Sequence, residues 1–298
     1  MKILIIGSKG FIGKHCFDYF ANHDHQVHGC DVVSDYNQAN YHIIDASNSD
    51  FSAIFRKQCF DVCINCSGAA SVPQSFENPQ RDYTLNVLNV YKLLDAIKEN
   101  NRQCKFINIS SAAVFGNPNY LPIDEKHPLK PLSPYGFHKL QAENICNEFT
   151  QFWGIQTCNL RIFSAYGSGL QKQLFWDIAQ KVKSNKPFTL FGTGNESRDF
   201  IYIDDIVQAI AIIIEKADFK ANIYNIASGI EHKINDIVSL FLNILNSNIK
   251  YNFEGNIRNG DPLNWCADIS KIQSLGFITT TSIETGLTQY SKWLEELK

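Results

Sequence analysis

The chain opens with an apolar run, Ile3-Leu4-Ile5-Ile6, that meets three glycines, Gly7, Gly10 and Gly13, where a helical stretch begins. No other feature narrows the fold as much. Glycines here permit a tight turn, let backbone N–H groups approach a pyrophosphate, and bring strand and helix into contact. The first gap is one residue longer than in the commonest fingerprint of this kind. A glycine triplet alone is weak evidence; its place between a strand and a helix gives it weight. Phe11 and Ile12 belong to the same turn and count with it as candidate cofactor contacts.

The alternation continues. Apolar runs at 2–7, 26–30, 41–44, 61–66, 105–110 and 156–162 read as strands, and 11–22, 86–100 and 135–153 read as helices between them. Strands and helices alternating at this spacing predict an α/β fold, a parallel, doubly wound sheet of the Rossmann type. The 298 residues leave room for a second, smaller domain. Ligands of such sheets bind beyond the carboxyl ends of the strands, so the residues leaving each strand are the ones to weigh. Asp31 ends the second strand, where a carboxylate accepts both ribose hydroxyls of NAD and repels the 2′-phosphate of NADP; a turn aspartate is the plain reading beside it. Asp45 and Ala46 follow the third strand, placed for an adenine amine or equally for a turn. Ser67, Gly68 and Ala69 follow the fourth and are small enough to let a cofactor pass, as they would be at any tight strand exit.

The strand at 105–110 runs into Ser110 and Ser111. Serines leaving a strand are often turn formers or caps; Ser110 reads as one, and Ser111 as the partner of a substrate oxygen. Tyr135 and Lys139 stand four residues apart and so share a helix face, with Pro134 suited to the first turn. At ~4 Å and an effective dielectric of about 20, an ammonium is worth roughly 4 kcal/mol to a phenolate. That is enough to bring a tyrosine from a pKa of about 10 towards neutrality and to make a proton-transfer group suited to an alcohol. A surface Tyr and Lys on an amphipathic helix share this spacing; the glycine turn and Ser111 tip the reading towards chemistry.

A formal charge of −3 and the absence of a basic block argue against nucleic acid as a partner. The opening apolar run is too short for a signal peptide, and the stretch at 206–214 is too short to cross a bilayer, so no membrane association is expected. Nine cysteines are odd in number and scattered through apolar runs, which suits reduced, packed thiols in a cytoplasm. Cys63 and Cys66 match a redox or zinc half-site, but no second pair stands at metal spacing; packing in a buried strand is the expected role, and no metal is expected.

Gly7-x-x-Gly10-x-x-Gly13, Asp31, Ser110-Ser111-Ala112-Ala113-Val114-Phe115-Gly116 and Tyr135-x-x-x-Lys139 together resemble the extended short-chain dehydrogenase/reductases, in their nucleotide-sugar epimerase/dehydratase branch. The resemblance extends through Asn159-Leu160-Arg161-Ile162-Phe163-Ser164-Ala165-Tyr166-Gly167, Gly192-Thr193-Gly194-x-x-x-Arg198-Asp199-Phe200, Tyr224-Asn225-Ile226-Ala227-Ser228-Gly229, Arg258-x-Gly260-Asp261 and Ala267-Asp268-x-Ser270-Lys271. It covers nearly the whole chain.

The resemblance implies a Rossmann domain over 1–165, with segments near 199–227 returning to it, and a smaller C-terminal α/β lobe over 166–298 that binds the substrate. It implies NAD as cofactor, with NADP disfavoured by Asp31, and a sugar joined to a nucleoside diphosphate as substrate. Tyr135 would exchange a proton with the sugar hydroxyl, Lys139 would hold the nicotinamide ribose, and Ser111 would orient the oxygen. Arg198 and Arg258 match arginines near the diphosphate, as a planar guanidinium suits. Asp261 would meet the nucleotide ribose, Lys172 would be a further phosphate contact, and Ser164 stands where many members place a substrate-binding asparagine. A homodimer paired through the helices at 86–100 and 135–153 is implied too. Dehydratases of the branch follow the serine or threonine with an acidic pair; here those positions are Ala112 and Ala113, which cannot move protons. A 4-epimerase is therefore favoured. A 4-ketoreductase that consumes NAD(P)H is the alternative, and a non-catalytic dinucleotide sensor stands behind both.

Overall fold

The structure, a computed structural model, describes residues 1–46, 48–256 and 260–297. Six strands appear in the first half: β1 (Lys2–Ile6), β2 (Gln26–Asp31), β3 (Tyr41–Ile43), β4 (Val62–Asn65), β5 (Lys105–Ser111) and β6 (Thr157–Ile162). Beyond them come β7 (Ser164–Tyr166), β8 (Phe188–Leu190), β9 (Ser197–Tyr202), β10 (Lys220–Ile226), β11 (Glu231–Lys233) and β12 (Tyr251–Phe253). Seven of these form one sheet in the order β3-β2-β1-β4-β5-β6-β10, every pair parallel. The order reverses between β1 and β4, which opens a crevice at their carboxyl ends.

Both faces of this sheet are covered, and that explains the unbroken apolar run in β1. Ile3 and Ile5 belong to one core with Ile107, Leu160 and Ile210, while Leu4 and Ile6 belong to another with Val90, Leu94 and Phe149. Cys63 is fully buried in the second core, and all nine cysteines are free thiols. Among the described residues no helix is long and apolar enough to cross a membrane.

Two expectations change. The stretch read as one helix from 86 begins earlier: Asn78 caps a helix at Pro79–Tyr83, a π-helical turn follows at Thr84–Leu88, and the α-helix proper runs over Asn89–Asn100. The segment at 200–202 does not rejoin the large sheet. It lies in β9, between β7 and β11 in a separate three-stranded sheet, because β7 follows β6 after a single residue and leads the chain away from the main ladder. Only β10 of that region returns, pairing along β6. β8 and β12 make a further two-stranded pair.

Candidate active site

The crevice beside β1 is built by the glycines. A Cβ on Gly13 would stand 2.1 Å from the Gly7 carbonyl oxygen, and one on Gly7 would stand 2.7 Å from the Ser67 nitrogen, so only glycine lets the turn, the helix Phe11–Ala21 and the β4 exit meet. Asp31 pins this turn from the neighbouring strand. Its Oδ2 accepts the Lys9 N–H at 2.9 Å, its Oδ1 accepts the Val32 N–H at 2.7 Å and the Val33 N–H at 3.4 Å, and Oδ2 keeps a lone pair for a ribose hydroxyl. A cavity of ≈ 650 Å³ follows, lined by Gly7, Gly10, Asp31, Ala46, Ser67 and Gly68 among others. A turn that a side chain would fill, a carboxylate at one end and small residues at the other fit NAD. Phe11 and Ile12 pack onto the core from the first helical turn. Asp45 accepts the Asn48 N–H within its own loop, and Ala69 is half-buried just past Gly68.

At the far end of the cavity stands the helix Pro134–Trp153. Ser133 caps it, accepting the Gly136 N–H at 3.1 Å, and Pro134 fills its first turn. A buried ion pair fastens this helix to the sheet: Glu143 accepts from Arg161 of β6 at 2.7 and 3.0 Å and from the Ser110 hydroxyl of β5 at 2.6 Å. Ser110 is thus a structural anchor. Ser111, one residue on, leaves the strand, accepts the Ala113 N–H at 3.2 Å and shares a hydrogen bond with Tyr135. Lys139 is buried on the same helix face, donates to the Ile109 carbonyl at 2.9 Å and lies 5.9 Å from the Tyr135 ring centre. A Cβ on Gly68 would be 3.5 Å from its ammonium, so the cavity ends where the Ser111, Tyr135 and Lys139 group begins.

The electrostatics correct one expectation. The proximity of Lys139 does not bring Tyr135 towards neutrality. Burial pushes the Tyr135 phenol up to about 12; the Ser111 hydrogen bond pulls it down and Asp82 pushes it further up. Lys139 is itself depressed to about 8 by burial, against the opposing pull of Asp82, Cys66 and Glu143. Desolvation of a phenolate wins here over a lysine that stands over the ring, 5.9 Å from its centre.

Three further polar residues frame this group. Asp82 is buried, accepts from Asn86 Nδ2 at 3.1 Å, and lies 2.6 Å from His138 Nδ1. The position of His138 between Tyr135 and Lys139 was the sequence signal for it. Asn78-Pro79, a capping pair, was the signal for the helix that carries Asp82. Of the candidate substrate contacts, Ser164 lies half-buried in β7, and Lys172 is exposed before the helix Gln173–Lys183. Arg198 lies over the Trp265 ring at 5.5 Å, donates to the Ser197 carbonyl at 2.7 Å and to that of Leu263 at 3.3 Å, and feels the charge of Asp261. Arg258 falls outside the described residues.

A doubly wound parallel sheet with a glycine turn at its switch point, Ser111 at the end of β5, and Tyr135 and Lys139 on the helix beside it is the architecture of an extended short-chain dehydrogenase/reductase. The model of the NAD dependent epimerase/dehydratase family matches residues 3–227. A Bacillus subtilis protein, the uncharacterized UDP-glucose epimerase YtcB, is 30% identical, with 100% of this chain and 99% of that protein covered. The crystal structure of UDP-glucuronic acid 4-epimerase from Bacillus cereus, in complex with UDP-glucuronic acid and NAD, superposes with a TM-score of 0.91 at 29% identity and covers 100% of both chains. The UDP-N-acetylglucosamine 4-epimerase of Methanobrevibacter ruminantium, in complex with UDP-N-acetylmuramic acid, gives 0.90 at 27% identity over 100% of this chain and 99% of the other. The chain belongs to the NAD-dependent epimerase/dehydratase family.

Proposed function

We propose that the protein is an NAD-dependent nucleoside-diphosphate-sugar 4-epimerase, with a UDP-sugar as the first substrate to try. One arrangement carries this reading: the hydrogen-bonded Ser111–Tyr135 pair and Lys139 meet the dinucleotide cavity at Gly68, while the next two residues are Ala112 and Ala113. Those alanines hold no acid or base with which to expel water, so proton transfer at one oxygen is what the edge can perform.

Asp31, Gly7, Gly10 and Ser67 would hold NAD, whose chemistry when bound would be to accept a hydride from the sugar's C4 and return it to the other face. Tyr135 removes the C4 hydroxyl proton and later returns it; Ser111 orients that oxygen; Lys139 supplies the positive charge that favours the phenolate. With the phenol high when protonated, Tyr135 is well suited to giving its proton back to the keto oxygen. Arg198, Arg258 and Asp261 hold the nucleotide diphosphate, with Ser164 and Lys172 nearer the sugar and its phosphates. The lobe over 166–298 closes the cleft.

The test is direct. The purified protein, which is expected to carry NAD, is given UDP-glucose, UDP-N-acetylglucosamine and UDP-glucuronic acid without added reductant. Interconversion of C4 epimers is expected in at least one case, and Tyr135→Phe should abolish it while retaining NAD. Activity only on a 4-keto sugar, with stoichiometric loss of NADH absorbance, would replace this reading with a reductase.

The enzyme works as a homodimer paired through the helices Asn89–Asn100 and Pro134–Trp153. Tyr91, Phe152 and Trp153 on these helices and Leu88 just before them are exposed, an apolar surface that a second copy would cover. The buried free thiols suit a cytoplasmic location.

A further inference from the structure

We infer that Arg81, which lines the same cavity as the glycine turn, is the cation that neutralises the cofactor's diphosphate. The inference rests on the cofactor reading above and goes beyond it by naming a residue that no motif marks.

Gly7 and Gly10 line the cavity from the turn after β1, and Asn78, Gln80, Arg81 and Thr84 line it from the segment that leads into the helix Asn89–Asn100. A dinucleotide laid along it, with its adenosine ribose at Asp31 and its nicotinamide end at Gly68, places two phosphate charges in the middle. The helix Phe11–Ala21 offers its N-terminus there without a side-chain cap or an acidic residue in its first turn, but a helix end supplies only about half a positive charge. A side-chain cation would add to it.

Lys9 and Arg81 are the cavity's only lysine and arginine among the described residues. Lys9 is already engaged. Its ammonium pairs with Asp35 and donates to Gln38 Oε1 at 3.1 Å, both on the loop after β2. Arg81 makes no ion pair among the described residues, and its side chain is exposed.

Its backbone, by contrast, is held. Asn78 accepts the Arg81 N–H at 3.2 Å, and Pro79 starts the turn. The adjacent Asp82 is buried against Asn86 and His138 of the catalytic helix, which sets the rotation of this short helix and leaves its next face to the cavity. The π-helical turn at Thr84–Leu88 then keeps Thr84, Leu85 and Asn89 in the cavity lining; such turns recur at functional sites. A guanidinium on a fixed backbone, lining the same cavity as the glycine turn, can grip two phosphate oxygens in a fork.

The experiment measures binding rather than turnover. NADH, ADP-ribose and adenosine are titrated into the full-length protein after its bound NAD has been removed, and likewise into its Arg81→Ala and Arg81→Gln variants and, as a partial rescue, Arg81→Lys. The expected result is a ~30-fold loss for NADH and ADP-ribose in the Ala and Gln variants, a smaller loss in the Lys variant, unchanged adenosine binding, and a weaker salt dependence of ADP-ribose affinity. Unchanged ADP-ribose affinity in Arg81→Gln overturns the inference, as does an equal loss of adenosine, which would assign Arg81 to shaping the nucleoside end. Wild-type protein that binds neither NADH nor ADP-ribose would instead overturn the cofactor reading. Thermal unfolding of each variant checks the fold, and Gln keeps the test open if Ala does not fold.

Discussion

Replacing Lys139 by methionine should stabilise the protein while destroying its activity. The ammonium is buried, and burial takes its pKa from an ordinary lysine's 10.5 to about 8. Each tenfold in protonation is about 1.4 kcal/mol, so keeping this lysine charged costs the fold about 3 kcal/mol at neutral pH. Its hydrogen bond to the Ile109 carbonyl returns some of that, about 1 kcal/mol. Lys139→Met should therefore gain about 2 kcal/mol at pH 7 and raise the melting temperature by roughly 4 °C. The pH dependence carries the diagnosis. Because the folded pKa lies below the unfolded one, the unfolded chain binds more protons between pH 8 and 10.5, and wild-type stability from this group rises with pH across that window. The advantage of Lys139→Met should shrink there as the wild type sheds its charge. Urea unfolding of both proteins at pH 7 and pH 10 measures it, alongside turnover, which should fall by a factor of about 100 or more. A variant less stable than wild type at pH 7, or one whose advantage is the same at both pH values, refutes the assignment of burial as the dominant force on Lys139.

Gly13→Ala and Gly10→Ala should separate folding from binding. The first drives a Cβ to 2.1 Å from the Gly7 oxygen and should cost about 3 kcal/mol in thermal unfolding; the second meets only that oxygen at 3.2 Å and should leave stability near wild type while weakening NADH binding, so equal behaviour would contradict the turn's two roles. The Tyr135 phenol should ionise near pH 12 in NAD-free protein, read as the ultraviolet difference from Tyr135→Phe. Added NAD⁺ should lower that midpoint, because a cation favours the phenolate, and an upward move would contradict the site's electrostatics. His28 is held down to about 4 by burial, then by His42 and Lys2. Its contribution to stability is complete above pH 6.5 and lost as pH falls towards 4, so His28→Phe should flatten the acid limb of the melting-temperature profile. Phe152→Glu should yield monomers in light scattering; a dimer of undiminished affinity would place the interface elsewhere.

The seven-stranded sheet was largely legible because β1, β4, β5 and β6 are buried on both faces and so carry apolar residues on both, unbroken in β1 and interrupted by buried polar residues such as Asn108 and Arg161 in β5 and β6. β7, β8, β11 and β12 are three residues long, and nothing so short carries a period. The helix at 79–100 was half-seen. Its apolar stripe from Val90 to Ile97 is plain, but Asn78-Pro79 and the π-helical turn before it are local backbone events that hydrophobic spacing does not encode. Ser111, Tyr135 and Lys139 were singled out from residue type and order, and the structure brings them together. Their electrostatics were not. A Coulomb estimate from spacing alone omits how deeply a side chain sinks, and it is that depth which raises Tyr135 and lowers Lys139.

The pairing of β10 along β6 has a consequence for anyone who would trade one sugar specificity for another. A protein cut after residue 165 would lose its outermost ladder and bare the β6 edge, a template for aggregation. The lobe cannot therefore be swapped as a cartridge on a single hinge. Between Tyr166 and Lys220 the chain is better treated as a long insertion whose two ends are nailed to the same scaffold, and grafts that respect both nails are the ones with a prospect of folding.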